Sequence, residues 1–173
     1  MAVPPEFDWR PQVADLIPPA LRLATRLCGD KPLAEDAVQE ALVKLARYGD
    51  GFRGQSELST YFARIVINAC NDQLSRRRQR HEKPLQTETI AGPESASPEF
   101  ASQQAEQVAR IRRAVDRLPE RQRNVLVLSV WEQRTTEEIG QLLEMNIQNV
   151  YSTLSLARQQ LKKLLTDCEH LQS

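Results

Sequence analysis

The sequence has no excess of charge in either direction: 23 Lys and Arg balance 23 Asp and Glu over 173 residues. A globally polybasic attraction to nucleic acid or membrane is therefore excluded. Cysteine is sparse, with Cys28, Cys70 and Cys168 forming no C-x-x-C pair, and the two histidines, His81 and His170, are not spaced to complete a metal site. This pattern predicts reduced, partly buried thiols in a cytoplasmic protein, with no metal and no cofactor. No apolar run approaches membrane-spanning length, and the opening MAVPPEFDWRPQ lacks a basic-then-apolar leader, so no membrane insertion is expected. There is no nucleophile set beside a base and no phosphate-cradling glycine loop, which argues against an enzyme. No segment shows the alternation of a strand worth defending.

What is present is helical periodicity. The stretch Thr135 to Leu165 reads as two helices joined by a very short turn. Thr135 and Glu138 have capping-box spacing, and Ile139, Leu142 and Leu143 give the first helix one apolar side. Asn146 is a natural cap for the second, in which Ile147, Val150, Leu154, Ala157, Leu161 and Leu164 recur every three or four residues. Gln148, Asn149, Ser152, Thr153, Ser155 and Gln159 are left on the opposite face. A short helix, a tight turn and a longer helix with a polar leading face match a helix-turn-helix that enters the DNA major groove. Two-helix hairpins are more often plain packing units, so the hairpin alone does not decide the matter.

Upstream, Val13, Leu16, Ile17, Ala20, Leu21, Ala24 and Leu27 form a stripe, with a break or restart predicted near Pro18 and Pro19. Gly29 and Asp30 close that helix and start the next, whose core face is Leu33, Ala37, Val38, Ala41, Leu42 and Leu45. Its other face carries Glu35, Asp36, Gln39, Glu40 and Lys44, a pattern equally consistent with a solvated surface. A loop follows from Gly49 to Gln55. A third helix is predicted from near Ser56 past Leu74, ending in Arg76, Arg77, Arg78 and Arg80. A basic end complements the helix dipole, but four arginines in five positions exceed that need and suit a polyanion. Tyr61 and Phe62 are candidates for base stacking or for the core.

Residues 82–108 carry net charge −4 between two blocks of +2 each. Rich in Pro, Ser, Glu and Thr, this stretch reads as a flexible acidic linker over 82–107. It separates an N-terminal helical domain, 1–81, from a C-terminal four-helix module, 108–173, in which a helix resumes at Val108 and Pro119 opens another. The predicted fold is all-α, two small helical domains.

The segment from LRLATRLCGDKPLAEDAVQEALVKL to RRRQR resembles region 2 of bacterial RNA polymerase sigma factors. LPERQRNVLVLSVWEQRTTEEIGQLLEMNIQNVYSTLSLARQQL resembles their region 4, and the order and spacing resemble the extracytoplasmic-function (ECF) group. The resemblance covers about residues 12–165. It implies that Asp36, Gln39 and Glu40 dock on the clamp helices of core polymerase. Arg53, Ser56, Tyr61, Arg64, Asn68, Arg76, Arg77 and Arg78 would then melt and hold the −10 promoter element. Gln148, Asn149, Tyr151, Ser152, Thr153 and Arg158 would meet the −35 element. The linker would thread toward the polymerase active-site channel.

Core RNA polymerase and promoter DNA are the implied partners, with an anti-sigma factor a further candidate and a monomer expected when free. The sequence departs from the family in several places. Tyr61 stands where Trp is frequent, Ile67 where Arg is, and Glu144 where Gly usually makes the turn. Tyr151, Thr153 and Leu156 replace three usual cations of the recognition helix, leaving Arg158 as the main one. Weak −35 binding by the isolated domain is therefore expected. The rival readings are a conventional helix-turn-helix regulator acting without polymerase, and a sigma-like interaction protein whose C-terminal module no longer reads DNA.

Overall fold

The computed structural model describes residues 10–49, 57–80 and 98–170, with side chains described over 10–49, 57–80 and 104–166. Among the described residues there are seven α-helices, a leading 3-10 turn and no strand. They are α1 (Val13–Cys28), α2 (Lys31–Tyr48), α3 (Leu58–Gln79), α4 (Pro98–Asp116), α5 (Glu120–Val130), α6 (Thr136–Leu143) and α7 (Ile147–His170). The all-helical expectation holds.

Helices α1, α2 and α3 pack on one another, and α4 to α7 form a second group around α5 and α7. The joint between α1 and α2 is local chemistry. Gly29 takes the left-handed conformation (φ 65°), which glycine adopts without steric cost, and its N–H returns to the Thr25 carbonyl. Asp30 then caps α2 by accepting from the Leu33 N–H at 3.0 Å, with Pro32 in the first turn, where no donor is lost.

Two expectations change. α1 runs unbroken through Pro18 and Pro19. Both prolines are exposed, and the carbonyls they leave unpaired, those of Ala14 and Asp15, belong to exposed residues where water can serve them. α4 begins at Pro98, ten residues before the helical stripe becomes legible at Val108. Its first nine residues, PEFASQQAE, carry Phe100 as their one large apolar side chain, too little to mark a stripe for a periodicity search. The rest of the proposed linker, 82–97, lies outside the described residues.

The two helix groups also touch, α1 against α5 and α3 against α6, so buried side chains of both groups belong to one contiguous core. Leu27, Cys28, Val66 and Cys70 contribute from the first group, Leu118, Val125, Val127 and Ile139 from the second. Burial of this apolar surface, at roughly 25 cal/mol per Å², is the main term favouring the closed packing.

Candidate nucleic-acid and polymerase interface

On α2, Asp36 and Gln39 are exposed and Glu40 is half-buried. The three do not share one environment. The Glu40 carboxylate receives Lys44 Nζ at 3.2 Å, Arg76 Nη1 at 3.3 Å and Gln73 Nε2 at 3.2 Å, so it stitches α2 to α3. Burial acts to raise its pKa, but the bonds from Lys44 and Arg76 outweigh it and hold the group below its ordinary value.

On α3 the periodicity puts Arg64, Asn68, Asn71 and Asp72 on the outer side. Asn68, Asp72, Arg76 and Arg78 are exposed, but Arg64 is half-buried and Asn71 is buried, while Phe62 and Ile67 lie in the core. Tyr61 is half-buried and packs against that core. Arg53 and Ser56 lie outside the described residues. Arg64, Arg76, Arg77 and Arg78 each have a partner within the chain. Arg77 meets Asp30 at 3.5 Å, both side chains nearly buried. Arg64 reaches the second helix group. Its Nε donates to the Gln141 carbonyl at 3.0 Å, its Nη2 to the same oxygen, and its Nη1 to the Glu144 carboxylate at 3.2 Å. Beside it lies a cleft of about 510 Å³ lined by Glu57, Ser59 and Thr60 of the α3 end and Arg134, Glu138 and Gln141 of the α6 end.

The hairpin is built as its sequence predicts, except that Ile147, the first residue of the second helix's apolar stripe, is exposed. Thr135 Oγ1 accepts from the Glu138 N–H at 3.2 Å, and Glu138 accepts from the Thr135 N–H at 2.8 Å, completing the capping box. That donation from Thr135, with Arg134, keeps the Glu138 carboxyl below its usual range. Glu144 ends α6 in the left-handed conformation (φ 54°, ψ 45°), and Asn146 Oδ1 caps α7 through the Asn149 N–H at 2.7 Å. Gly140 makes the tight crossing possible, since a Cβ there would sit 2.7 Å from the Met145 carbonyl oxygen. On α7, Gln148, Asn149, Tyr151, Ser152 and Arg158 are exposed and Thr153 is half-buried. Thr136 donates its hydroxyl to the Tyr151 hydroxyl at 3.3 Å, and Ser152 donates to the Asn149 carbonyl at 3.1 Å.

The arrangement is two helix groups, one presenting a polar ridge and an arginine-rich helix, the other a capped helix-turn-helix. Residues 13–80 match the Sigma-70 region 2 family, and residues 109–161 match the Sigma-70, region 4 family. The RNA polymerase sigma-H factor of Pseudomonas aeruginosa is 30% identical over 153 residues, covering 84% of this chain and 79% of the relative. This chain belongs to the sigma-70 family, in its ECF group. A sigma factor directs RNA polymerase to promoters, and that is the function its membership gives.

The sigma-E factor of Streptomyces avermitilis is 34% identical over 145 residues, covering 84% of this sigma factor and 78% of the relative. The ECF sigma factor SigW of Bacillus subtilis is 28% identical over 157 residues, covering 84% and 82%. In fold, this sigma factor is similar to RpoE of Bartonella quintana, solved with the anti-sigma factor NepR, at a TM-score of 0.65 and 22% identity over 92% of this chain and 97% of that one. CnrH, solved with the cytosolic domain of CnrY, gives a TM-score of 0.63 at 21% identity. No helix of the described residues is long and apolar enough to cross a membrane, and no three His, Cys, Asp or Glu among them group as a metal site.

What sequence reasoning missed in this sigma factor is the seam between the two groups. Arg26 Nη1 donates to the Trp131 carbonyl at 2.6 Å and pairs with Glu132. Arg78 Nη2 donates to the Asp116 carbonyl at 2.7 Å. Arg123, 1% exposed, donates from Nη2 to Asn71 Oδ1 at 3.1 Å, while its Nε and Nη1 are buried without a partner. Burial, reinforced by Arg78, pulls the Arg123 pKa below its ordinary value, and burial pushes the Asp116 carboxyl up against the pull of four arginines. Cys28 and Cys70 are buried free thiols, and Cys70 is pushed up by its hydrogen bond with Cys28 and then by burial. The pattern LPERQR showed Arg123 only as one of two cations, beside Arg121.

Proposed function

We propose that this sigma factor binds core RNA polymerase through the α2 ridge of Asp36, Gln39 and Glu40, and works as an initiation subunit that leaves phosphodiester chemistry to the polymerase. The observation that carries the assignment is the exposure of Asp36 and Gln39 on a helix whose opposite side is fully committed to the core. An acidic and amide-bearing ridge supplies both attraction and register toward a basic partner. The −10 element falls to Arg53, Ser56, Tyr61, Arg64, Asn68 and Arg76–Arg78, and the −35 element to Gln148, Asn149, Tyr151, Ser152, Thr153 and Arg158. The division into 1–81, 82–107 and 108–173, a cytoplasmic location, a monomeric free state and capture by an anti-sigma factor belong to the same reading.

The test is reconstitution: the purified chain should co-elute with core polymerase and support transcription from fragmented genomic DNA. Asp36→Arg should lower core affinity while leaving the thermal melt unchanged, because an exposed helix charge contributes little to stability. Glu40 calls for the milder Glu40→Gln, since a reversed charge would also repel Arg76 and break the contact between α2 and α3. Unchanged core affinity in the folded double variant would refute the docking site. A second reading is favoured by the exposed Tyr151 and Leu156 on α7, where cations are usual: that the C-terminal group contacts protein instead of DNA. Transcription indifferent to a scrambled −35 element would establish it.

A further inference from the structure

The seam has a chemical regularity. Three arginines of the first helix group each donate to a backbone carbonyl at the C-terminal end of a helix in the second. Arg78 reaches Asp116, the last residue of α4, Arg26 reaches Trp131, the residue that caps α5, and Arg64 reaches Gln141 in the last turn of α6. Helix C-termini carry unpaired carbonyl oxygens and about half a negative charge each. To a guanidinium they offer part of what a phosphate offers, a partly negative oxygen with room for two N–H donors. Two of the three, Arg64 and Arg78, are among the side chains assigned above to the −10 element.

We propose that the C-terminal helix group is an intramolecular inhibitor of −10 engagement: its helix ends occupy Arg64 and Arg78 in place of the promoter strand, and Glu144 is the latch. This rests on the −10 assignment. Glu144 marks the latch because it stands at a left-handed position (φ 54°), where glycine would be unstrained, and its carboxylate meets Arg64 Nη1 at 3.2 Å. The unsatisfied Nε and Nη1 of buried Arg123 make the closed seam imperfect, so a competing polyanion or polymerase can open it. Promoter strand and closed packing then compete for the same donors, and the apparent affinity for the strand is reduced by the fraction of chains that are closed.

The experiment uses the full chain with Glu144→Gln, which removes the charge, and Glu144→Lys, which sets it against Arg64. Glu137→Lys, an exposed position of the same helix, controls for added positive charge. Two readouts are taken at one fixed salt concentration: small-angle scattering for closure, and affinity for a single-stranded −10 oligonucleotide. An exposed pair supports about three-fold tighter strand binding in Glu144→Gln and about ten-fold in Glu144→Lys, with a larger radius of gyration in both and little change in Glu137→Lys.

The proposal is overturned if both Glu144 variants stay as compact as the parent, or if they open and strand affinity does not move. It is equally overturned if Glu137→Lys gains as much as Glu144→Lys. A failed −10 assignment shows itself differently. Adding Arg64→Ala to the open Glu144→Lys chain would then leave strand binding unchanged while the scattering still reports opening, and closure would be packing alone.

Discussion

The buried pair of Arg123 and Asn71 joins α5 to α3 across the seam, and its energetics can be worked from the contacts. Asn71 is 9% exposed and supplies the single hydrogen bond, at 3.1 Å, found for the Arg123 side chain, whose other two nitrogens are buried and unpartnered. Asn71→Leu therefore strands a guanidinium that is already poorly paired. A hydrogen bond to a charged group contributes about 1.5–3 kcal/mol, and a chain of this size loses roughly 2–4 °C of Tm per kcal/mol. The expected fall is about 3–12 °C.

Arg123→Met behaves differently. It leaves Asn71 unpaired but removes the desolvation of the guanidinium, so the two effects offset to within about 1 kcal/mol. The double variant should then be more stable than Asn71→Leu alone, a coupling of about 1–3 kcal/mol. The assay is differential scanning calorimetry on the four chains of the cycle. The parent should unfold in one transition because the groups share a core, and Asn71→Leu should begin to separate two. Additive losses, with Arg123→Met as damaging as Asn71→Leu, would refute the reasoning, because the guanidinium would then be held by something other than Asn71.

Two further outcomes concern the helix-turn-helix. Gly140→Ala forces a Cβ to within 2.7 Å of the Met145 carbonyl oxygen, a backbone atom that cannot swing aside, so the turn must shift. Loss of promoter activity with α1–α3 still folded, read by circular dichroism and core binding, is expected, and wild-type transcription would count against that geometry. Tyr151→Lys with Thr153→Arg restores cations to α7 and should tighten duplex binding at low salt, steepening the salt dependence by about two units of slope if each meets a phosphate. An unchanged slope would mean that this face does not lie on DNA.

The helices were legible where one face is apolar. α1, α2, α3 and α7 each bury a stripe at three- and four-residue spacing, and the capping box and the Asn146 cap could be assigned from residue type and position alone. The start of α4 was not legible, because its first nine residues hold one large apolar side chain, Phe100, and a single point sets no period. Proline misled at Pro18 for another reason. The ring clash and the missing N–H cost stability wherever proline sits in a helix, but both prolines of α1 face outward, the freed Ala14 and Asp15 carbonyls are exposed, and the packed stripe around them holds the helix through. For the candidate site, the ridge of Asp36 and Gln39 and the polar face of α7 were visible as exposed residues opposite a stripe. The seam was invisible. Arg26, Asn71, Asp116 and Arg123 each look like surface residues of their own helix, and they come together only when the two groups meet across separations such as the 52 residues between Asn71 and Arg123.

Glu144 shows how a local departure and a long-range contact belong together. From sequence, a glutamate where a glycine normally makes the turn predicts a looser turn or some strain. The turn keeps its left-handed geometry, so the strain is present, on the order of 1–2 kcal/mol for a residue with a Cβ. Nothing within the hairpin offsets it: the Glu144 N–H closes on the Gly140 carbonyl as any residue's would. The side chain that a glycine would lack is the one that reaches Arg64, 80 residues earlier. A sequence that breaks a local rule without local compensation points to a partner elsewhere. Here the partner is on the other helix group, and it is the same arginine that the −10 reading requires. The strain at 144 is thus explained by closure and not by the hairpin, which is why Glu144→Gly should stabilise the isolated turn while loosening the intact chain.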